Sequence, residues 1–169
     1  MTSELTKTST TAMTDQVIRQ VLGEWNKQIK AVTTFFTKFD NNTYQYEIAP
    51  GRNRAIYLLG HLIAVHDGML PLLGFGERLY PGLQEMFLGP DKSINDFPSL
   101  EDLKHKWDEL NTSLSGHFNR LTANEWLEKH TAVSAEDFAK DPLRNKLNVV
   151  INRTNHISYH LGQLNLMRP

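Results

Sequence analysis

PLRNKLNVVINRTNHISYHLGQL, residues 142–164, spaces Leu143, Leu147, Val150, Ile151, Ile157, Leu161 and Leu164 at the three- and four-residue intervals of an amphipathic helix. Asp141 followed by Pro142 reads as an N-cap and a first helical position, so this last helix is expected to run almost to Pro169. Within it His156 and His160 stand four positions apart, at the edge of the apolar stripe. Residues so spaced project from one helix face, about 6 Å apart along the axis, and two imidazoles held that way can share a metal ion. An ordinary pair of border histidines has the same spacing, and a third ligand would decide between the two readings.

Three further stretches have the same helical rhythm. Val17, Val21, Trp25, Ile29, Val32, Phe35, Phe36 and Phe39 mark a long first helix, with Thr14 as its expected N-cap and turn chemistry at Asp40, Asn41 and Asn42. Residues 1–13, rich in Thr and Ser, read as a flexible arm ahead of a single domain over 14–169. Ala49-Pro50-Gly51 then precedes a second helix over residues 52–69, apolar on most sides, with His61 in its interior. His61 is either a neutral core histidine satisfied by one hydrogen bond or a group directed at another helix. His66 lies about 140° around the helix from His61 and cannot easily share its ion, so His66 and Asp67 read as rim or structural residues. Ser99 opens a third long helix whose stripe is Leu103, Trp107, Leu110, Leu114, Phe118 and Leu121; His105 falls on its solvated side. Thr122-Ala123-Asn124-Glu125 matches a capping box for a short helix carrying Trp126. Neither His117 nor His130 has a partner at ligand spacing.

No strand-like alternation separates these segments. The expected fold is all-α, a four-helix bundle with a long crossover after the second helix. That crossover, residues 71–98, is broken by glycines and prolines yet carries Phe75, Leu79, Tyr80, Leu83, Met86 and Phe87. It is too apolar for a solvated linker, and reads either as a lid or as a connection packed on the core with a short helix at 84–88.

Composition narrows the chemistry. The 18 basic and 19 acidic residues of the 169-residue chain nearly cancel and recommend no nucleic acid. No cysteine is present, so any metal must be held by His, carboxylate or amide groups, and a cysteine nucleophile is excluded. No apolar run is expected to span a membrane and no signal peptide is evident, which makes a cytoplasmic protein without a membrane partner the expectation.

GHLIAVHD, residues 60–67, taken together with NHISYHLGQL, residues 155–164, resembles the DinB-like superfamily of small four-helix-bundle metalloproteins. The resemblance covers the helix order over about residues 14–168, and its most specific part is the C-terminal motif with His156, His160, Gly162 and Gln163. It implies a divalent metal held by His61, His156 and His160, a long crossover after the second helix, and a homodimer. It further implies a small-molecule substrate and an activity such as transfer of a low-molecular-weight thiol to an electrophile, isomerisation of a thiol-linked compound, or hydrolysis of an amide-like one. Zn²⁺ and Ni²⁺ both suit three nitrogen ligands. Three neutral imidazoles would leave the ion's charge uncompensated and positions open for water or substrate. Gln163 and Asn152 flank the pair and read either as orienters of imidazole or water, or as polar residues at a helix border. Tyr159 could donate a hydrogen bond or simply lie at an interface, and Arg153 is placed to receive a carboxylate. No carboxylate general base is evident beside the pair. A non-catalytic, stress-related metal-binding protein is the alternative function.

Overall fold

The computed structural model describes residues 2–91, 96 and 98–167, with the side chains of residues 2–10 outside that description. Among the described residues the chain is helical and contains no strand; two isolated antiparallel bridges, Glu47 with Arg54 and Lys129 with Asn145, are its only β pairing. Four helices are long: α1 (Thr2–Phe35), α2 (Ala55–Asp67), α5 (Leu100–Phe118) and α8 (Lys146–Leu164). Four are short: α3 (Met69–Leu73), α4 (Gly82–Phe87), α6 (Ala123–Trp126) and α7 (Ala135–Lys140).

Helix α1 begins at Thr2, so the stretch expected to be a separate arm continues the helix and Thr14 lies inside it rather than capping it. Its buried line is Ile18, Trp25, Val32, Phe35 and Phe36, while Val17 is 52% exposed, one position off the expected stripe. The helix stops where the following 3₁₀ turn folds back: the buried Tyr44 hydroxyl donates to the Phe35 carbonyl at 2.8 Å and accepts from the Phe39 amide at 3.0 Å. Helix α1 packs along α8, and α2 packs against both α5 and α4.

Caps explain most of the boundaries. Ser99 accepts from the Asp102 amide to start α5, and Thr122 with Glu125 forms the expected capping box of α6. The expected cap at Asp141 is corrected. Helix α8 starts at Lys146, with the Asn145 side chain accepting from the Asn148 amide at 2.9 Å. Asp141 instead closes α7, a helix whose own cap is Ser134 and which buries no residue. With the helix starting later, Leu143 lies outside it and is 71% exposed. Helix α8 ends at Leu164.

The crossover is sewn to α2 at both ends by buried carboxylates. Arg54, which precedes α2, has no side-chain cap. Its amide donates to Asp91 at 2.7 Å, and its guanidinium donates to the same carboxylate at 2.7 and 2.9 Å. At the other end Asp67 accepts from the Leu79 and Tyr80 amides at 2.7 and 3.1 Å. Between these ties α4 lays the fully buried Phe87 against α2. The described crossover is therefore a packed connection with a helix at Gly82–Phe87; residues 92–95 and 97 lie outside the described residues.

Helix α2 also corrects an expectation about apolar length. Because α3 follows it after Gly68 alone, the 19-residue stretch Ala55–Leu73 is long and apolar enough to cross a membrane by length and composition. It is also a core element, with 72% of that window buried inside the protein.

Candidate metal centre

His61 projects from the middle of α2, where its neighbours Gly60 and Leu62 are buried. Its Nδ1 lies 2.9 Å from the Phe87 carbonyl oxygen, which can only accept, so Nδ1 carries the proton and Nε2 offers a lone pair. On α8 the same arrangement is built locally. The Nδ1–H of His160 donates to Gln163 Oε1 at 2.8 Å, while Gln163 Nε2 donates to the Tyr159 hydroxyl at 3.1 Å. That orientation of the amide turns His160 Nε2 toward His61 as well.

The lone pairs converge. His156 Nε2 is 3.2 Å from His61 Nε2 and 3.0 Å from His160 Nε2, and one nitrogen from each of the three rings lies within 4.8 Å of the others. A tetrahedral ion with nitrogen ligands at 2.0–2.1 Å spaces them about 3.3 Å apart. The two edges that meet at His156 are thus close to the length that coordination requires, and two of the three rings already have their remote nitrogen oriented by an acceptor, as metal-binding imidazoles generally do. No carboxylate belongs to this group.

Electrostatics keep the ligands available. Burial lowers the pKa of His61 and of His160, and burial together with the neighbouring imidazoles and Arg153 pushes His156 down to about 4. A fourth imidazole behaves alike without joining the group. His66 is fully buried between Trp25 and Trp107, with ring centroids 4.7 and 5.0 Å away, and its Nδ1 donates to Asn111 Oδ1 at 3.1 Å. Burial pushes its pKa down to about 3.

These depressed values fix a pH dependence for the metal-free protein. Below the ordinary imidazole value of 6.5 the unfolded chain takes up protons that the folded chain refuses, so stability falls as the pH falls. The loss begins near pH 6.5 and continues toward about 4 for His156 and about 3 for His66. Ordinary carboxylates titrate below about pH 4.5, which leaves the upper part of this window to histidine. The thermal midpoint of metal-stripped protein is expected to drop steadily between pH 6.5 and 4.5; a flat midpoint there would show that the four imidazoles are not held neutral.

Of the residues singled out from the sequence, His61, His156 and His160 come together and Gln163 orients one of them. Tyr159 is 63% exposed and touches the group only through Gln163 and the edge of the His160 ring. Asn152 is exposed and makes no hydrogen bond to the imidazoles. His160 is buried rather than marginal, whereas His61 and His156 are partly accessible. His66 and Asp67, expected to be rim or structural residues, are both fully buried and each has a structural hydrogen bond, so the structural alternative holds. His105 is exposed, as expected.

Two contributors escaped the sequence reading. Phe87 matters through its carbonyl, for which the side-chain type gives no signal. Gly60 had a signal: a glycine inside an otherwise bulky apolar helix often marks a close approach. A Cβ there would lie 2.2 Å from Cε1 of Phe87, so the glycine is what lets Phe87 lie against α2 beside His61.

Compared with protein-family models and with curated proteins, the chain matches none.

Proposed function

We propose that this chain is a divalent-metal-dependent enzyme of the DinB-like type, built on a four-helix bundle with a long crossover, acting on a small molecule in the cytoplasm as a homodimer. The reaction is either transfer of a low-molecular-weight thiol to an electrophile or hydrolysis of an amide-like bond. The observation that carries this reading is the convergence of three Nε2 atoms, with 3.2 and 3.0 Å between His156 and its two neighbours. Zn²⁺ or Ni²⁺ at that point would supply Lewis acidity toward a bound thiol or water.

The chain's own residues do the rest. Phe87 and Gln163 fix the proton of His61 and His160 on Nδ1, which keeps both Nε2 atoms directed inward. Three neutral ligands leave the ion's charge available to stabilise an anionic nucleophile. Partial exposure of His61 and His156 leaves a side through which a small molecule can approach. The second reading, a metal-binding protein that turns nothing over, draws its support from the lack of a carboxylate in the group that could act as general base.

The deciding experiment uses metal-stripped protein, restored separately with Zn²⁺ and Ni²⁺. It is offered a panel of aminothiols with haloarene and epoxide electrophiles, and a parallel panel of small amides. Turnover that appears only on restoring metal, and is absent from His160→Ala, is the expected result. Bound metal with no turnover in either panel would favour the binding protein.

A further inference from the structure

We propose that Arg153 anchors a carboxylate on the small molecule that meets the three imidazoles, so that the site takes carboxylate-bearing substrates or co-substrates in preference to neutral ones. The proposal rests on the metal-centre reading for the reacting end of that molecule, and on Arg153 itself for the anionic end.

Arg153 is half-buried on α8, one turn before His156. Four other arginines have partners, Arg54 with Asp91, Arg78 with the Ala64 carbonyl, Arg120 with His117 and Arg144 with Asp137, while Arg19 and Arg52 are exposed to solvent. Arg153 has neither an ion pair nor a hydrogen bond among the described residues, and its Nε is buried with no acceptor. Burial without compensation lowers even its guanidinium pKa. Nε is the guanidinium nitrogen that is both buried and unpartnered, and a polar group left so costs free energy that an acceptor on a ligand would recover.

A second unpartnered group lies about one turn further along the same helix. His156 Nδ1 is also buried without a partner. When His156 ligates through Nε2, Nδ1 must carry the proton, which places a second buried donor three positions from Arg153 on the same helix. His61 and His160 already have their acceptors, so His156 alone lacks the oriented remote nitrogen that metal-ligating imidazoles usually have.

Net charge points the same way. The positive charge of Arg153 acts on His61, His66 and His156, and no carboxylate is among the groups that perturb any of the four imidazoles. A divalent ion held by three neutral ligands would add two more positive charges to this uncompensated interior. An acceptor-only, negatively charged, planar group that takes two N–H donors answers all three features, and a carboxylate is the simplest such group.

The test compares mercaptoacetate, 2-mercaptoethanol and acetate. Co²⁺-loaded protein reports thiol binding through its visible spectrum. The wild type is expected to bind mercaptoacetate at least about tenfold more tightly than 2-mercaptoethanol, as one charge-assisted contact would give. In Arg153→Gln that advantage should fall to within about twofold, while Arg153→Lys keeps part of it. Arg153→Gln should also unfold at a higher temperature than wild type without ligand, because a half-buried cation with no counter-charge has been removed. On metal-stripped protein, acetate should shift the Arg153 Nε–H cross-peak in a ¹H–¹⁵N spectrum and saturate. An unchanged mercaptoacetate advantage in Arg153→Gln would overturn the proposal, as would a lowered unfolding temperature joined to a non-saturating acetate shift. If Co²⁺ does not bind at all, the metal reading fails by itself and the acetate titration alone decides the anion site.

Discussion

His160→Ala is expected to abolish stoichiometric metal binding, weakening affinity by well over about 100-fold, while leaving a folded helical protein. Disturbing a partner one shell out from a metal typically costs about 10- to 100-fold, and removing a ligand costs more. His160 is the most buried of the three rings and the only one oriented entirely from its own helix, through Gln163. Its removal therefore deletes one corner of the triangle without untying α2 from the crossover. Gln163→Leu should fall in the intermediate range, because the imidazole stays but its proton is no longer fixed on Nδ1. His105→Ala, a change at a 78%-exposed side chain, should leave affinity unchanged. Wild-type protein should also gain about 2.7 kcal/mol of stability at a free metal concentration one hundred times its Kd, and His160→Ala should gain none. Equal metal content in wild type and His160→Ala would mean that the ion, if any, binds elsewhere.

Gly60→Ala should damage both the fold and the centre, although alanine is the better helix former by about 1 kcal/mol. The added Cβ would meet Phe87 at 2.2 Å from Cε1 and 2.4 Å from Cζ, inside any permitted contact, so Phe87 must move. Phe87 is fully buried, and overpacking of this kind costs about 1–3 kcal/mol. The displacement also carries away the Phe87 carbonyl, which accepts from His61 Nδ1 at 2.9 Å and from the Tyr57 hydroxyl at 3.1 Å. A lower urea midpoint together with weakened metal affinity is the expected pair of results. Phe87→Leu in the Gly60→Ala background should recover part of the stability by making room. A Gly60→Ala protein as stable as wild type and with unchanged affinity would show that α4 can shift without consequence for His61.

The helical rhythm was legible because burial imposes it. Trp107 and Leu110 in α5, and Val150 and Ile157 in α8, are all buried at the positions the periodicity assigns. Caps were legible where side chain and backbone meet within three residues, as at Ser99 and Thr122. They failed at Asp141, because Asn145 also carries a capping side chain and the chain between them turns back, donating from Asn145 Nδ2 to the Pro142 carbonyl at 3.0 Å. The stripe of α1 was misread by one position at Val17 because adjacent β-branched residues, Val17 and Ile18, offer the same signal to a periodicity count. The histidine triangle was only half visible. His156 and His160 lie on one helix and their spacing is a local fact, whereas His61 enters through tertiary packing and was reached by resemblance alone. The Phe87 carbonyl was beyond reach, since any residue at that position carries one.

X-ray absorption at the metal edge of Zn²⁺-loaded protein tests the central claim most directly. Three imidazole nitrogens at about 2.0–2.1 Å, joined by at least one non-imidazole light atom, are predicted for the wild type, and the imidazole signal should be lost or reduced in His160→Ala, which no longer holds the ion stoichiometrically. A shell of oxygen atoms alone, or the same imidazole count in wild type and His160→Ala, would contradict the assignment of His61, His156 and His160 as the ligands.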